Sequence, residues 1–333
     1  MRAYVMKSAQ HGAVRRMPKP IPGHGEVRIR SRFVGICGSD VHAYVGHYVR
    51  RRLPLAPGHE VSGIVDALGP DVIGPELGTP VVVNPEIGCG HCAAGWSNLC
   101  CDKVLMGTRP WPGAFAEYFC APCDNLFALP DGINLRAAAL TEPVSVAVHA
   151  LRKVENRKCE PALVIGAGGI GSTLLVAAKL MGWNHVTVSD VVASKLKVAS
   201  ALGADAVVDV AGASLSEELS RNGLPAPGVI FVAASGPTLI DLCFATARSR
   251  AAIVLLGQFS KAGIIDIDKG RIREQPIFGR RDFVDAGALH SENAERFSPL
   301  INRVVSLDTV DDVIREMATG YSRATKIMID LGE

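Results

Sequence analysis

Residues Pro161–Trp183 read PALVIGAGGIGSTLLVAAKLMGW: a short apolar strand, a glycine-rich turn and a long apolar helix in one stretch. Gly166, Gly168 and Gly171 form GxGxxG. Alone the pattern is weak, because glycine is common. Its setting gives it meaning. A strand precedes it, a helix follows, and the next strand, HVTVSDV (His185–Val191), ends on Asp190, 19 residues after Gly171. Gly166 permits the tight turn, Gly168 lets backbone approach a pyrophosphate, and Gly171 lets helix and strand pack closely. Gly169 and Ile170 complete the motif, and the helix N-terminus faces the phosphates. Asp190 is placed to accept hydrogen bonds from a ribose diol and to repel a 2′-phosphate, which favours NAD(H) over NADP(H). Lys195 lies five residues further on; it reads either as a phosphate counterion or as a solvated lysine.

Working outward, SKLKVASALGA (Ser194–Ala204) reads as a helix stopped by Gly203, and GVIFVAASG (Gly228–Gly236) and AAIVLLG (Ala251–Gly257) as buried strands. Strands alternating with helices imply βαβ units and a doubly wound parallel sheet. Upstream the texture differs. Val27–Cys37, His59–Gly69, Thr79–Pro85 and Ala114–Pro122 read as short strands divided by Gly and Pro turns, which predicts a compact β-rich part. Val144–Val154 has helical periodicity. After about Asp282 the signal weakens, until a helix at Val310–Gly320 and a last strand in Ala324–Gly332.

With 333 residues, 48% hydrophobic and 20% charged, two globular domains are expected. A net charge of +2, with no basic run longer than Arg50–Arg52, argues against a nucleic-acid or membrane surface. MRAYVMKSAQ has no signal-peptide core and no apolar stretch is long enough to span a bilayer, so a cytoplasmic, reducing setting is expected. There, clustered cysteines read as metal ligands or thiols rather than disulfides.

Two further stretches carry chemistry. GICGSDVH (Gly35–His42) and PGHE (Pro57–Glu60) offer the Cys37 thiolate and the His59 imidazole, donors that zinc prefers, and a carboxylate at Glu60. A further carboxylate, Glu142, stands in LTEPVSVAVHA (Leu140–Ala150), where the β-rich part passes into the dinucleotide part. A cleft between the parts would bring these groups near a nicotinamide.

GICGSDVH, PGHE, the cysteine-rich stretch Cys89–Cys101, GAFAEY (Gly113–Tyr118), TEPVSVAVHA and GAGGIG occur in the order seen in zinc-dependent medium-chain dehydrogenases/reductases, and the chain resembles that family over its whole length. It is most similar to the branch of polyol, sugar-acid and threonine dehydrogenases, which includes sorbitol, idonate, galactonate and amino-cyclitol enzymes. The resemblance implies an α/β protein with a GroES-like catalytic domain (residues 1–146 and 285–333) and a Rossmann domain (147–284). It implies a catalytic zinc held by Cys37, His59 and Glu60, with Glu142 as a further ligand or as a base on the zinc water. Asp40 would fix the His59 ring, Ser39 would contact the alcohol, and His42 would end a proton relay. The implied reaction moves a hydride between a secondary alcohol and NAD(H) in a homodimer or homotetramer.

Tyr44, His47, Tyr48 and Arg50–Arg52 lie where the family borders its substrate; the arginines read as a carboxylate clamp or as a solvated loop. Arg109 and Trp111 raise the same question, and Glu117 reads as structural. The loop before Ala251, Arg248-Ser249-Arg250, lacks the paired glycines usual there, and Val232–Gly236 lacks the usual acidic residue. Relatives carry C-x2-C-x2-C-x7-C in the cysteine lobe. Here Cys89, Cys92 and Cys100 match, the third position is Gly95 or deleted, and Cys101 is an irregular fourth. Adjacent cysteines diverge, so a structural zinc is expected to be weak or absent. Two other readings, a zinc-free enone or quinone reductase and a non-catalytic dinucleotide-binding protein, predict a missing or broken ligand set; this sequence carries the set intact.

Overall fold

The structure, a computed structural model, describes residues 1–47, 53–89, 100, 102–236, 238–257, 280–320 and 322–332, and the backbone of 273–274. The chain forms two units: Met1–Ser145 with Phe278–Ser322 and Lys326–Glu333, and Val146–Ile277 with Arg323–Thr325. The return to the first unit therefore comes earlier than the expected residue 285. The helix Arg280–Glu292 belongs there because its Phe283 lies against Phe127, with ring centroids 5.0 Å apart.

The first unit is built on a seven-stranded sheet. Its strands run in the order Ile301–Ser306, Lys326–Asp330, Glu26–Gly35, Glu60–Leu68, Pro80–Val83 and Leu126–Ala128, with Tyr118–Pro122 also paired to Glu26–Gly35. Alternation in VRIRSR puts Val27, Ile29 and Ser31 inside while the intervening arginines stay partly exposed. Three strands meet at Gly35: it lies opposite Glu60 on one side and Met328 on the other. The chain then continues to Ile36, whose N–H donates to the Ile327 carbonyl at 3.0 Å. A hairpin of Arg2–Ser8 and His11–Arg16, and the strand Ile301–Ser306, were not expected from the sequence.

The second unit holds a six-stranded, wholly parallel sheet in the order Ala206–Asp209, Val186–Asp190, Ala162–Ile165, Val229–Val232, Ala252–Leu255 and Arg273–Glu274. The first strand in the chain sits inside and the order reverses beside it, which is Rossmann topology. Side chains alternate across the sheet. Leu163, Ile165, Ile230 and Val232 join a core with Leu215, Leu219 and Cys243, while Phe231 meets Trp183 edge-on at 5.5 Å. No helix among the described residues is long and apolar enough to cross a membrane.

One buried group ties the first unit to pH. His290 is 1% exposed, its ring lies 5.0 Å from that of Phe297, and its Nε2 has no hydrogen-bond partner. Burial pushes its pKa down to about 4. The unfolded chain takes up the proton near pH 6.5, so stability is full above that value and falls as pH drops towards 4, by up to about 3 kcal/mol. His290→Leu is expected to remove that loss. Urea unfolding of both proteins at pH 7.5 and 4.5 checks it: wild type should lose about 2–3 kcal/mol more than the variant on acidification.

Candidate metal and dinucleotide sites

The meeting of three strand ends at Gly35 assembles the first site. Cys37 follows the strand Glu26–Gly35, and His59 and Glu60 open the neighbouring one. The Cys37 Sγ, one His59 ring nitrogen and one Glu60 carboxylate oxygen all lie within 4.8 Å of one another. Zinc bonds of about 2.0–2.3 Å require donors somewhat closer than this, a modest closure. Glu142, near the start of the buried helix Thr141–Arg152, stands outside the three-donor cluster but within electrostatic reach of all three.

Asp40 is fully buried on the helix Gly38–Tyr44. Its Oδ2 accepts the Cys37 N–H at 2.9 Å and so caps that helix. Its Oδ1 stands 3.8 Å from His59 Nδ1, too far for a hydrogen bond. The expected fixing of the His59 ring is thus an approach rather than a bond, and Asp40's direct hold is on the Cys37 backbone. With Nδ1 turned to Asp40, Nε2 is the nitrogen left for a metal. Ser39 hydrogen-bonds the Cys37 side chain. His42, three residues further along the same helix, is half-buried, and burial with the nearby His47 lowers its pKa.

Lys326, on the strand Lys326–Asp330, was missed. Its Nζ donates to Glu60 Oε1 and lies against Oε2, with both side chains buried. Gly35 makes the room: a Cβ there would stand 2.0 Å from Glu60 Oε2 and 3.0 Å from Lys326 Cε. Burial disfavours the Lys326 ammonium, yet Glu60, Cys37 and Glu142 outweigh it and raise its pKa. The available signal was a lysine opening an otherwise apolar run in the last strand.

Burial outweighs the Lys326 charge for the other two acids of this cluster. Burial pushes the Cys37 thiol up to about 11, with the Glu60 charge adding to the rise. Burial also raises Glu142 to about 8; His59 pulls it down while Glu60 and Cys37 push it up. Glu60 Oε2 accepts no hydrogen bond of good geometry, but the Lys326 ammonium lies against it. A soft thiol, an imidazole and a carboxylate within one small buried cluster fit a zinc ion, which would add positive charge beside Cys37 and Glu142.

In the second unit Gly166 has φ +102°, which favours glycine, and Gly168 precedes the helix Gly169–Leu180, which begins Gly169-Ile170-Gly171. A Cβ on Gly171 would stand 1.8 Å from the Gly166 carbonyl oxygen, while one on Gly168 would meet nothing within 4 Å. Gly171 thus serves the close approach of helix and turn, and the space beside Gly168 suits a ligand. Asp190 ends its strand as expected, and it also clamps the turn: Oδ2 accepts from Ala167 N at 2.7 Å and Oδ1 from Val192 N at 2.8 Å. A carboxylate retains further lone pairs for a diol. Lys195 lies on the helix Ala193–Ala201, partly exposed, with no ion-pair partner among the described residues.

Other residues near the motifs are bound into the fold or exposed. Tyr44 is core: its hydroxyl donates to Gln10 O at 3.1 Å and lies 3.4 Å from Asp311 Oδ2. Trp111 is buried, with Nε1 donating to Cys120 O at 2.8 Å. Arg109 is exposed and makes a long 3.4 Å hydrogen bond to Pro54 O. Glu117 accepts from Arg2 N at 2.8 Å, a structural contact. Tyr48, Arg50–Arg52, Cys92 and Cys101 lie outside the described residues. Cys89 N donates to the buried Cys100 Sγ at 3.3 Å. Beside that lobe the strands Glu86–Ile87 and Val104–Leu105 pair, and Lys103 meets Glu86 at 2.8 Å.

An alcohol dehydrogenase GroES-like domain matches residues 23–131 and a zinc-binding dehydrogenase domain matches residues 169–294. The chain belongs to the zinc-type medium-chain dehydrogenase/reductase family and is an alcohol dehydrogenase-type oxidoreductase. Sorbitol dehydrogenase of Bacillus subtilis is 31% identical, over 77% of this chain and 75% of its own. 2-Dehydro-3-deoxy-L-galactonate 5-dehydrogenase of Pseudoalteromonas atlantica is 32% identical, over 93% of this chain and 92% of its own. The crystal structure of RspB from Escherichia coli CFT073 with NADH superposes with a TM-score of 0.90 at 26% identity, over 99% of both chains.

Lys326→Met strands the Glu60 carboxylate. The metal-free variant is expected to lose about 3 kcal/mol of stability, and zinc should restore more of it than zinc adds to wild type. Urea unfolding with a chelator and then with added zinc measures both.

Proposed function

We propose that the chain is a zinc- and NAD-dependent dehydrogenase of secondary alcohols, acting on a polyol, a sugar acid or a cyclitol. The Cys37–His59–Glu60 cluster carries this reading; the GxGxxG turn closed by Asp190 supports the cofactor, and the names of the sorbitol and galactonate relatives support the substrate class. Zinc bound by these three residues supplies Lewis acidity towards an alcohol or ketone oxygen. Asp40 keeps Cys37 in place and faces His59, and Lys326 holds Glu60, which would also be a ligand of the zinc. Glu142, with its pKa raised to about 8 by burial, can hold or release a proton at its carboxylate near neutral pH. Ser39 and His42, three residues apart on one helix face, form a path for the alcohol proton, with neutral His42 accepting it. Asp190 selects NAD by repelling a 2′-phosphate. The protein is proposed to assemble as a homodimer or homotetramer.

The deciding experiment is an NAD-reduction screen over polyols, aldonates, amino-cyclitols and threonine, with metal analysis of the same protein. One zinc per chain is expected, because the shortened cysteine lobe is proposed not to hold a second. Cys37→Ser should lower zinc content and cut turnover by roughly a hundredfold or more. Unchanged turnover in that variant, or turnover by zinc-free protein, would overturn the reading. Asp190→Asn is expected to narrow the preference for NAD over NADP by roughly tenfold or more, read as the ratio of kcat/KM values.

A further inference from the structure

An open surface pocket of about 620 Å³ in the second unit is lined by Asn156, Arg157, Glu160, Arg248, Ser249 and Arg250. Glu160 precedes the strand Ala162–Ile165, and Arg248–Arg250 precede Ala252–Leu255, so the pocket lies at the amino ends of the parallel strands. The GxGxxG turn follows the carboxyl end of Ala162–Ile165. The two sites are therefore at opposite ends of one sheet.

The pocket is built around one shared carboxylate. Arg157 grips Glu160 with two parallel bonds, Nε to Oε1 at 3.0 Å and Nη2 to Oε2 at 2.7 Å. Arg248 Nη2 reaches the same Oε2 at 2.7 Å. Gly228 leaves room for this network: a Cβ there would stand 2.2 Å from Glu160 Oε2 and 2.9 Å from Arg248 Nε. The backbone holds the arms, with Arg248 N donating to Pro227 O and Ala251 N to Arg248 O, both at 3.1 Å.

Arg250 is the unusual member. Its φ is +66°, in the left-handed region that glycine adopts more readily, within the turn closed by Ala251 N on Arg248 O. The Arg250 guanidinium has no partner among the described residues. A left-handed backbone at such a residue points to a use for the side chain. Three guanidinium groups and one carboxylate line the pocket, which leaves a net charge of two. Asn156 and Ser249 add neutral donors.

We propose that this pocket binds a doubly charged oxyanion, the phosphate group of a small phosphorylated molecule, at a site separate from the dinucleotide turn. Guanidinium forks match phosphate oxygens in pairs. The volume exceeds that of inorganic phosphate and admits a diphosphate or a phosphorylated metabolite. Arg250 is the free fork, while Arg157 and Arg248 are held ready by Glu160.

Titration calorimetry of the full-length protein with pyrophosphate at physiological salt tests this, using Arg250→Gly and Arg250→Lys. Glycine suits the left-handed turn, so R250G should melt no lower than wild type while weakening pyrophosphate binding by roughly tenfold. R250K keeps the charge but not the fork, and should fall between the two. Wild-type protein without saturable binding would overturn the proposal. So would equal affinity in wild type and R250G, because pyrophosphate would then sit elsewhere, including at the GxGxxG turn.

Discussion

The buried pairing of Lys326 with Glu60 is the contact on which the candidate metal site rests. Its partners lie 266 residues apart in the chain and meet because the strands Glu26–Gly35, Glu60–Leu68 and Lys326–Asp330 end side by side. Two charges taken out of water cost several kcal/mol each unless each finds the other. Gly35 permits the meeting by having no side chain. The pair also fixes the charge balance: with Lys326 spent on Glu60, Cys37 and Glu142 are left with raised pKa values that a bound cation would relieve. Stability of the metal-free protein and the proposed affinity for a metal thus draw on the same carboxylate.

The second unit uses the polarity of a parallel sheet. All six strands point one way, so their carboxyl and amino ends differ in kind. At the carboxyl end, Gly166 and Gly168 leave backbone bare beside a helix N-terminus, and Asp190 clamps the turn through Ala167 N and Val192 N. The clamp gives this acid a role in the fold itself, beside the one proposed for it towards a ribose. At the amino end Arg248-Ser249-Arg250 precede Ala252–Leu255 and line the pocket with Arg157 and Glu160.

Several residues near the motifs turned out to serve packing. Tyr44 and Trp111 are polar-tipped aromatics, and a sequence cannot say whether the tip meets a substrate or a carbonyl. Here both tips meet protein acceptors, at Gln10 and Cys120. Arg109 and Glu117 likewise reach backbone atoms of this chain. Asp40 differs from the expectation in its partner, not its place: it holds the backbone of one ligand and only approaches the ring of the other.

The sequence alone determined the βαβ half of the protein, because GxGxxG, the apolar strands and the acid ending the next strand are all local, and local spacing dictates them. It also offered Cys37, His59 and Glu60 as candidate donors, in two short motifs whose convergence the pairing of two strands then produced. Tertiary structure alone decided that Lys326 faces Glu60, that the helix Arg280–Glu292 returns to the first unit, and that Arg157, Arg248 and Arg250 share one pocket. Each of these joins segments far apart in the chain. Their meeting depends on strand order and register, which no single window of sequence encodes.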